Sequence, residues 1–324
     1  MSNKLLLCIP SGWDTYISCE FYEIQQHLIS LGWTKLIINE DSEELIINSI
    51  REAHTVLLWE AYELIARHEN FFLRDPDLTN VKKIFFCDDP HYFTSFRRQQ
   101  RLRAFIWADM IFATYPEKIT QWYPEIECEK IHWTPHSVAS YFYPEFSPTD
   151  DRVLLSGSKT WPYPFRQFCE LKLIKEVCDV IEHPGYPGYP GDPQNRHSSN
   201  AKQMQQIGRE KYGDLLRRYP AMLVCGSIFH YLVSKVFEGM AAGCLVICER
   251  ESLAPQLTKL GFIEGEHYVG TDIFHVQEDV QQVRNMFLTE PYQWRTTVEN
   301  ASAKAQKEHS TLVRAHQIHF LSTS

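Results

Sequence analysis

The chain has 324 residues, of which 44% are hydrophobic and 23% are charged, a composition that excludes an intrinsically disordered protein. Its 41 acidic residues outnumber its 32 basic residues, and the net charge of −9 argues against nucleic acid as a partner, because phosphate contacts need lysine and arginine. The length suits two domains of roughly 150 residues, and no apolar run approaches the ~20 residues that cross a bilayer.

The first ten residues, MSNKLLLCIP, carry one lysine and an apolar run that is too short for a secretory signal. We therefore expect a first strand there rather than a signal peptide. The nine cysteines include no Cys-x-x-Cys pair, and many lie inside apolar runs, as expected for buried free thiols in a reducing compartment. These features predict a cytoplasmic protein without disulfides or a cysteine zinc site.

In the first half, short apolar runs alternate with segments whose apolar residues recur every three or four positions. The predicted strands are Leu5–Ile9, Lys35–Ile38, Val56–Trp59, Ile84–Cys87 and Met110–Ala113. The predicted helices include Cys19–Ser30 and Glu43–Ala53. Apolar strands that alternate with amphipathic helices indicate a parallel sheet covered on both faces, the doubly wound α/β class.

Residues 134–151, TPHSVASYFYPEFSPTDD, contain three prolines and no helical period, so we predict a crossing between two domains. The alternation then restarts, with predicted elements at Val153–Leu155, Phe165–Val177, Val180–Ile181, Ala221–Cys225 and Leu245–Cys248. Residues 183–200, which include PGYPGYPGD, are predicted to form a surface loop. The chain therefore divides into two Rossmann-like halves, residues 1–146 and 147–295, and a helical tail at 296–324 that we expect to pack back on the first half.

Open α/β sheets bind ligands at the carboxyl ends of their strands, and two such loops stand out in the first half. Pro10–Asp14 contains Gly12, which lets another molecule approach the backbone, although an ordinary tight turn explains it equally well. Asp88-Asp89-Pro90-His91 combines two carboxylates with an imidazole, a set that serves acid–base chemistry or holds sugar hydroxyls. The alternative is an aspartate helix cap beside a surface histidine. A divalent cation would need a third ligand that this segment lacks.

In the second half, Ser156-Gly157-Ser158 follows a predicted strand and precedes a predicted helix, an arrangement that turns backbone N–H groups toward a phosphate. Arg166, shortly downstream, adds a bidentate donor. Taken alone, a glycine–serine turn of this kind is weak support for a phosphate site.

The most specific segment is residues 225–247, CGSIFHYLVSKVFEGMAAGCLVI. Ser234 is predicted to cap a short helix that stops at Gly243. Glu238 is a lone carboxylate in this otherwise small and apolar helix, so it serves packing poorly and a hydroxyl-bearing ligand well. Ser234 and Lys235 at the helix start would offer amides and a cation to anionic oxygens.

The segment SKVFEGMAAGCLVI resembles the donor-binding helix of GT-B glycosyltransferases, especially the CgeB-like group of the glycosyltransferase-one superfamily. The resemblance extends to HWTPHSVASYFYP in the linker, to VLLSGS with Arg166 downstream, and to Asp88-Asp89-Pro90, and so covers about residues 85–270 in scattered motifs. It implies that Glu238 holds the ribose of a nucleotide diphosphate sugar.

Three positions depart from the pattern of that group. Many retaining members have a glutamate eight positions before the ribose glutamate, where this chain has His230, so a carboxylate that faces the sugar is missing or replaced. Ala139 stands where the linker often has aspartate. Arg166 fits the phosphate-binding arginine, whereas Lys172 lies one residue beyond the usual lysine.

The resemblance implies a metal-independent glycosyltransferase whose nucleotide diphosphate sugar binds the second domain, with no separate cofactor. The expected donor-binding residues are Glu238, Lys235, Ser234, Arg166, Gly157, Ser158 and Gly12. The acceptor, a carbohydrate, a protein or a small molecule, would bind the first domain. The expected catalytic residues are His91, Asp88, Asp89 and His230, and the loops that carry them are expected to face each other across the reacting sugar.

The stereochemical outcome separates two mechanisms. The superfamily favours retention of configuration, in which the diphosphate itself can take the acceptor proton, whereas an inverting reaction would need a base, for which His91 is the first candidate. Two other functions remain open on the same scaffold. One is a nucleotide-sugar epimerase or hydrolase, and the other is a protein that binds a nucleotide or sugar without catalysis.

Overall fold

The computed structural model describes residues 4–16, 18–92, 94–173, 175–182 and 209–324. The predicted proline–glycine loop at 183–200 lies outside these residues. The described strands form two fully parallel sheets, one of six strands in the order β2-β1-β3-β4-β5-β6 and one of five strands in the order β11-β10-β9-β7-β8. The doubly wound α/β class predicted from the sequence is confirmed in both halves.

The strands of the first sheet are β1 (Leu5–Ile9), β2 (Trp33–Ile37), β3 (Thr55–Trp59), β4 (Lys82–Cys87), β5 (Met110–Ala113) and β6 (Ile131–Trp133). Those of the second sheet are β7 (Val153–Gly157), β8 (Cys178–Glu182), β9 (Ala221–Val224), β10 (Leu245–Glu249) and β11 (Val269–Thr271). The sequence did not reveal β6 and β11, since three residues are too few to show a pattern.

The helices of the first half are α1 (Cys19–Ser30), α2 (Glu43–Glu52), α3 (Tyr62–Arg67), α4 (Glu69–Arg74), α5 (Ser95–Trp107) and α6 (Pro116–Trp122). Those of the second half are α7 (Pro164–Lys172), α8 (Glu210–Arg218), α9 (Ser234–Ala241), α10 (Arg250–Lys259), α11 (Val276–Thr289), α12 (Pro291–His309) and α13 (Thr311–Thr323). The helix predicted to reach Val177 stops at Lys172, because Leu173 already has extended backbone angles.

The inner strands β1, β3, β7 and β9 are buried at every position, so both faces of each sheet are covered. In β1, Leu6 and Cys8 pack into the hydrophobic cluster on one face, whereas Leu5, Leu7 and Ile9 pack into the cluster on the other. A fully buried leucine of this kind contributes roughly 2 kcal/mol to folding relative to an exposed one. These layers fix the strand ends, and with them the loops that carry the candidate site.

The tail consists of two helices rather than the single helix predicted. The break falls at Ser310, whose hydroxyl caps α13 by accepting a hydrogen bond from the Val313 amide. Helix α12 packs on the second sheet, and α13 packs on α1 of the first half, where Trp33 Nε1 donates to His319 Nδ1 at 3.1 Å. The tail therefore contacts both halves of the chain.

The linker, residues 134–151, contains no helix or strand, as predicted. It is held to the tail by two backbone hydrogen bonds, from Val138 N to the His309 carbonyl and from Thr311 N to the Val138 carbonyl. No helix in the described part of the chain is both long enough and apolar enough to cross a membrane.

Candidate active site

Loops at the carboxyl ends of the two sheets contact each other, through Asp89 and Tyr115 of the first half and Tyr231 of the second. In each sheet the strand order reverses about the first strand, between β1 and β3 in one and between β7 and β9 in the other. Such switch points leave a crevice above the sheet in which ligands bind. Gly12 follows β1 and Gly157 ends β7, so both predicted glycine turns lie at switch points.

Gly157 and Arg166 form the predicted phosphate corner together with Lys235. Gly157 has a φ of +120°, which a residue with a side chain rarely adopts, and a Cβ at this position would lie 2.7 Å from Arg166 Nη1 and 3.2 Å from Lys235 Cε. The missing side chain therefore leaves room beside two cations. The structure brings these three residues together from the end of β7, from α7 and from α9.

The Arg166 guanidinium is buried at 3% exposure and is held from two sides. Nη1 donates to the Ser158 carbonyl at 3.1 Å and Nη2 to the Cys225 carbonyl at 3.4 Å, while the Tyr163 ring lies 4.1 Å from the guanidinium carbon. Its buried Nε finds no hydrogen-bond partner among the described residues. A buried cationic donor without a partner is costly, and an anionic ligand oxygen would satisfy it.

Lys235 and Glu238 lie one turn apart on α9. Lys235 Nζ donates to Tyr212 Oη at 3.2 Å, and Tyr212 Oη in turn lies 2.7 Å from Ser156 Oγ. Glu238 is only 6% exposed, and this burial raises the pKa of its carboxyl, opposed by the charge of Lys235. Burial also lowers the pKa of Lys235, opposed by the charge of Glu238. The carboxylate predicted to hold a ribose is thus buried next to the predicted phosphate corner.

The prediction that Ser234 caps α9 is wrong. Val233 is the capping residue, with extended angles of φ −72° and ψ 153°, and Ser234 is already the first helical residue. The Ser234 side chain makes no capping hydrogen bond; it lies near the Glu238 carboxyl one turn later and lowers the pKa of that group, opposing the effect of burial. The predicted stop at Gly243 agrees with the structure, since Gly243 has a φ of +79° after Ala242.

On the first domain, Asp88 and Asp89 follow β4 and face the second domain. Asp89 Oδ1 accepts hydrogen bonds from the His91 amide and from the Tyr231 hydroxyl, both at 2.9 Å. The alternative of a helix cap is excluded for these aspartates, because Thr94 caps α5 by accepting from the Arg97 amide. The loop that carries Asp88 and Asp89 is therefore joined to the second domain by the hydrogen bond from Tyr231.

The two predicted catalytic histidines have different surroundings. The His91 ring lies 5.1 Å from the Phe229 ring and 6.0 Å from the Trp122 ring, so it belongs to an aromatic group contributed by both domains. His230 is exposed and has a left-handed φ of +56°. It lines a cavity of about 150 Å³ together with Glu249. Burial raises the pKa of Glu249, and the nearby His230 opposes this shift.

Gly12 takes the left-handed conformation, with a φ of +99°, directly before the single turn Trp13–Thr15. Glycine adopts this conformation without steric cost, which accounts for its presence in this turn. Trp13 is fully buried against Phe21 and Trp59, so the turn rests on a rigid aromatic base. Its predicted contact with a donor phosphate stays a prediction.

A buried chain of three polar side chains in the cleft was missed from the sequence. His136 of the linker has Nδ1 at 2.7 Å from Glu20 Oε1 and Nε2 at 2.8 Å from Tyr115 Oη. Burial raises the pKa of Glu20 to about 8 and lowers the pKa of His136, so both groups are held neutral. The negative charges of Asp88 and Glu238 oppose the lowering of the His136 pKa. His136 is therefore close to a carboxylate of each half of the candidate site.

No group of three or more His, Cys, Asp or Glu side chains suited to a metal ion occurs within the described residues. Metal independence of the reaction stays a prediction, since this geometric finding concerns protein ligands alone.

Comparisons with known proteins agree with this architecture. Residues 159–319 match the family model described as glycosyl transferase-like. No curated protein shows significant sequence similarity to the chain. An alpha-glucosyltransferase solved with UDP-glucose and DNA containing an abasic site shares 11% identity over 99% of both chains, with a TM-score of 0.67.

Two further solved structures match over nearly their whole length. Anabaena Alr3699/HepE, in complex with UDP and glucose, shares 12% identity over 99% of this chain and 100% of its own, with a TM-score of 0.64. A glycosyltransferase from Rickettsia africae ESF-5 shares 12% identity over 100% and 98%, with a TM-score of 0.63. The chain therefore has the GT-B fold of two Rossmann-like domains. With this fold, the match of its second half supports a place in the glycosyltransferase superfamily.

Proposed function

We propose that this protein is a glycosyltransferase of the CgeB-like group that moves a sugar from a nucleotide diphosphate sugar to a hydroxyl-bearing acceptor. The observation that carries the proposal is the meeting of Gly157, Arg166 and Lys235 at the switch point of the second sheet, next to the buried Glu238. A diphosphate requires positive charges and a backbone without a side chain in the way, which Arg166, Lys235 and Gly157 provide. A ribose requires a hydrogen-bond acceptor, which Glu238 provides.

The donor would bind with its diphosphate at this corner. Negative charge builds up on the diphosphate as the bond to the sugar breaks, and preorganised cations stabilise that charge most strongly in the transition state. Arg166 supplies the partnerless Nε and Lys235 a second positive charge, so the protein meets this demand without a metal ion. The buried Glu238 would accept hydrogen bonds from the ribose hydroxyls.

The donor base is proposed from the structural relatives, and the acceptor from the charge of the chain. Relatives of the same fold were solved with UDP or UDP-glucose, which makes a uridine nucleotide the first donor to test. One of these relatives was solved with DNA, but the net charge of −9 on this chain disfavours such an acceptor. We propose that the acceptor is a carbohydrate, a protein or a small molecule that binds the first domain. We also propose that the reaction takes place in the cytoplasm.

The acceptor would approach Asp88, Asp89 and His91. In a retaining reaction the departing diphosphate takes the acceptor proton, and no protein base is needed. In an inverting reaction His91 would take it, and His91→Ala would lower turnover on the order of 10²–10⁴-fold. We favour retention because the superfamily does, and a turnover unchanged in His91→Ala supports that choice.

A non-catalytic binding protein is the second candidate, favoured by His230 at the position where a carboxylate would face the sugar. Both candidates predict nucleotide binding, and only the first predicts turnover. A thermal-shift panel of UDP, GDP, ADP and their sugar conjugates tests the shared part, because a ligand at 100 times its Kd stabilises the fold by ~2.7 kcal/mol.

Release of the nucleotide diphosphate, with and without EDTA, then separates the two candidates. Transfer that EDTA leaves unchanged supports the metal-independent transferase, and transfer that EDTA abolishes and Mg²⁺ restores contradicts metal independence. Binding without release or transfer supports the non-catalytic protein. If no nucleotide raises the melting temperature, both candidates fail.

A further inference from the structure

Glu60 occupies an unusual position at the switch point of the first sheet. It directly follows β3, and its amide donates to the Phe86 carbonyl of the neighbouring strand at 3.0 Å. Its backbone is left-handed, with a φ of +51°. A residue with a Cβ rarely adopts this conformation, because its Cβ crowds the following carbonyl oxygen. Such strained residues cluster at active sites.

The carboxylate of Glu60 holds the loop that carries the two aspartates. Glu60 Oε1 accepts a hydrogen bond from the Asp88 amide at 2.7 Å and a longer one, 3.4 Å, from the Tyr62 hydroxyl. The next residue, Asp89, accepts the hydrogen bond of Tyr231 from the second domain. One carboxylate thus fixes the backbone immediately before the residue that joins the two domains.

The surroundings of Glu60 are built from charged and polar groups of several elements. Arg101 of α5 lies 4.8 Å above the Tyr62 ring and donates to the Asp89 carbonyl at 3.3 Å. Burial raises the pKa of Glu60 to about 8, with Asp88 and Asp89 adding to the shift and Arg101 opposing it. The contact with Asp88 needs only an oxygen acceptor, which a neutral side chain also provides.

We infer that Glu60 is a positioning residue for sugar transfer, which holds the Asp88–Asp89 loop at the cleft through the Asp88 amide. This inference rests on the proposed function for its catalytic consequence, and on geometry alone for its effect on the loop. Three variants separate the contributions of Glu60. Glu60→Ala removes the acceptor, Glu60→Gln keeps an oxygen acceptor without charge, and Glu60→Gly removes the acceptor in a residue that suits the left-handed backbone.

The first measurement is amide hydrogen exchange in the full-length protein, which needs no substrate. We expect the peptide containing Asp88 to exchange about tenfold faster in Glu60→Ala and Glu60→Gly, and within about threefold of wild type in Glu60→Gln, because only the first two lose the hydrogen bond. Glu52→Ala, an exposed carboxylate on α2, is the control without effect. Unchanged exchange in Ala and Gly, or equally fast exchange in Gln, overturns the inference.

The second measurement is release of UDP from UDP-glucose, the probe donor, with water taking the glucosyl group, alongside UDP affinity. We expect turnover to fall at least about tenfold in Ala and Gly and to recover in Gln, while the Kd for UDP stays within about twofold, because the donor corner lies on the other domain. If a Glu60 variant loses UDP affinity by the same factor as it loses turnover, the role of Glu60 is not confined to the Asp88–Asp89 loop, and the inference is contradicted. If wild type releases no nucleotide from UDP-glucose or from any other nucleotide sugar that raises its melting temperature, the proposed function and the catalytic half of this inference are refuted, and the exchange result still decides the other half.

A double-mutant cycle identifies the route of the effect. If Glu60 acts through Asp89 and Tyr231, then Glu60→Ala combined with Tyr231→Phe loses no more turnover than the worse single variant. Multiplied losses show that Glu60 acts by another route and overturn the stated one.

Discussion

The hydroxyl of Tyr231 in the second domain donates a 2.9 Å hydrogen bond to Asp89 Oδ1 in the first. The same ring stacks on Tyr115 of the first domain, with ring centres 3.7 Å apart and planes 6° from parallel. Tyr231 thus contacts the loops that follow β4 and β5, and any opening of the cleft has to break both contacts. Tyr115 is also the last member of the buried chain that begins at Glu20.

We expect Tyr231→Phe to lower turnover about tenfold or more while it leaves the fold intact. The phenylalanine keeps the stack on Tyr115 and removes a hydrogen bond to a charged group, which contributes ~1.5–3 kcal/mol. The measurement is kcat and KM with a saturating acceptor, together with the melting temperature. Lys259→Ala is the matched control, because Lys259 also contacts the first domain, at Glu117, but on the exposed surface where ion pairs contribute little. Equal effects of the two variants would contradict this assignment.

Glu238→Ala is expected to weaken binding of UDP by roughly 1–3 kcal/mol, the range of a hydrogen bond to a charged group. Isothermal titration calorimetry measures this loss directly. The same titration with a UDP analogue that lacks both ribose hydroxyls should show no difference between variant and wild type. Glu251→Ala, a carboxylate on the neighbouring α10, is the control. If Glu238→Ala binds both nucleotides as wild type does, Glu238 does not hold the ribose.

Gly157→Ala is expected to cost stability and also most of the affinity for UDP. The stability loss comes from the left-handed φ of +120°, roughly 1–3 kcal/mol, and the affinity loss from a Cβ that would lie 2.7 Å from Arg166 Nη1. Gly32→Ala is a matched control, because Gly32 has a φ of +96° and no atom within 4 Å of the added Cβ. Both variants should melt lower, and only Gly157→Ala should lose UDP affinity. Loss of affinity in both would show that strain alone explains it.

Local features of the sequence predicted the layers of the fold well. The bounds of Leu5–Ile9 and Cys19–Ser30 agree with the structure, because a buried strand and an amphipathic helix each leave a continuous pattern. The turn at Gly157 and the helix with Glu238 were found because short motifs carry them. The Ser234 cap was wrong because a serine before a helix and a serine in its first turn look alike in sequence.

Contacts between distant residues could not be predicted. Glu20 and His136 are 116 positions apart, and nothing local to either residue indicates the other. Glu60 follows a strand like many surface carboxylates, and only the backbone angle and the contact with Asp88 distinguish it. The sequence therefore predicted which loops form the site more completely than which side chains meet there.

Glu20 should make the stability of the protein depend on pH. Its pKa is about 8 in the folded state, and the ordinary value for a glutamate is about 4.5. Between these values the folded state holds a proton that the unfolded state lacks, so the free energy of unfolding falls as the pH rises, by up to ~1.4 kcal/mol per pH unit. His136 has the opposite sign, since burial lowers its pKa, but its contribution ends near pH 6.5, the ordinary value for histidine.

From pH 6.5 to pH 8 the buried carboxyls of Glu20, Glu60 and Glu238, whose pKa values are raised, lower the free energy of unfolding as the pH rises. Lys235, whose pKa burial lowers to about 8, opposes them near the top of this window, and His275, whose pKa Asp272 raises, adds to them. The contribution of Glu20 is therefore isolated by comparing wild type with a Glu20 variant. We expect the melting temperature of wild type to fall across this window at constant ionic strength, and to fall less steeply in Glu20→Gln. The glutamine side chain offers His136 Nδ1 either an amide donor or a carbonyl acceptor, as the imidazole tautomer requires, so the variant keeps the buried contact and loses only the titration. Glu52→Gln is the control, because the pKa of the exposed Glu52 is lowered by Lys4 and lies outside the window. A slope in Glu20→Gln equal to that of wild type would mean that Glu20 is ionised in the folded protein, and the neutral Glu20–His136–Tyr115 chain would have to be abandoned.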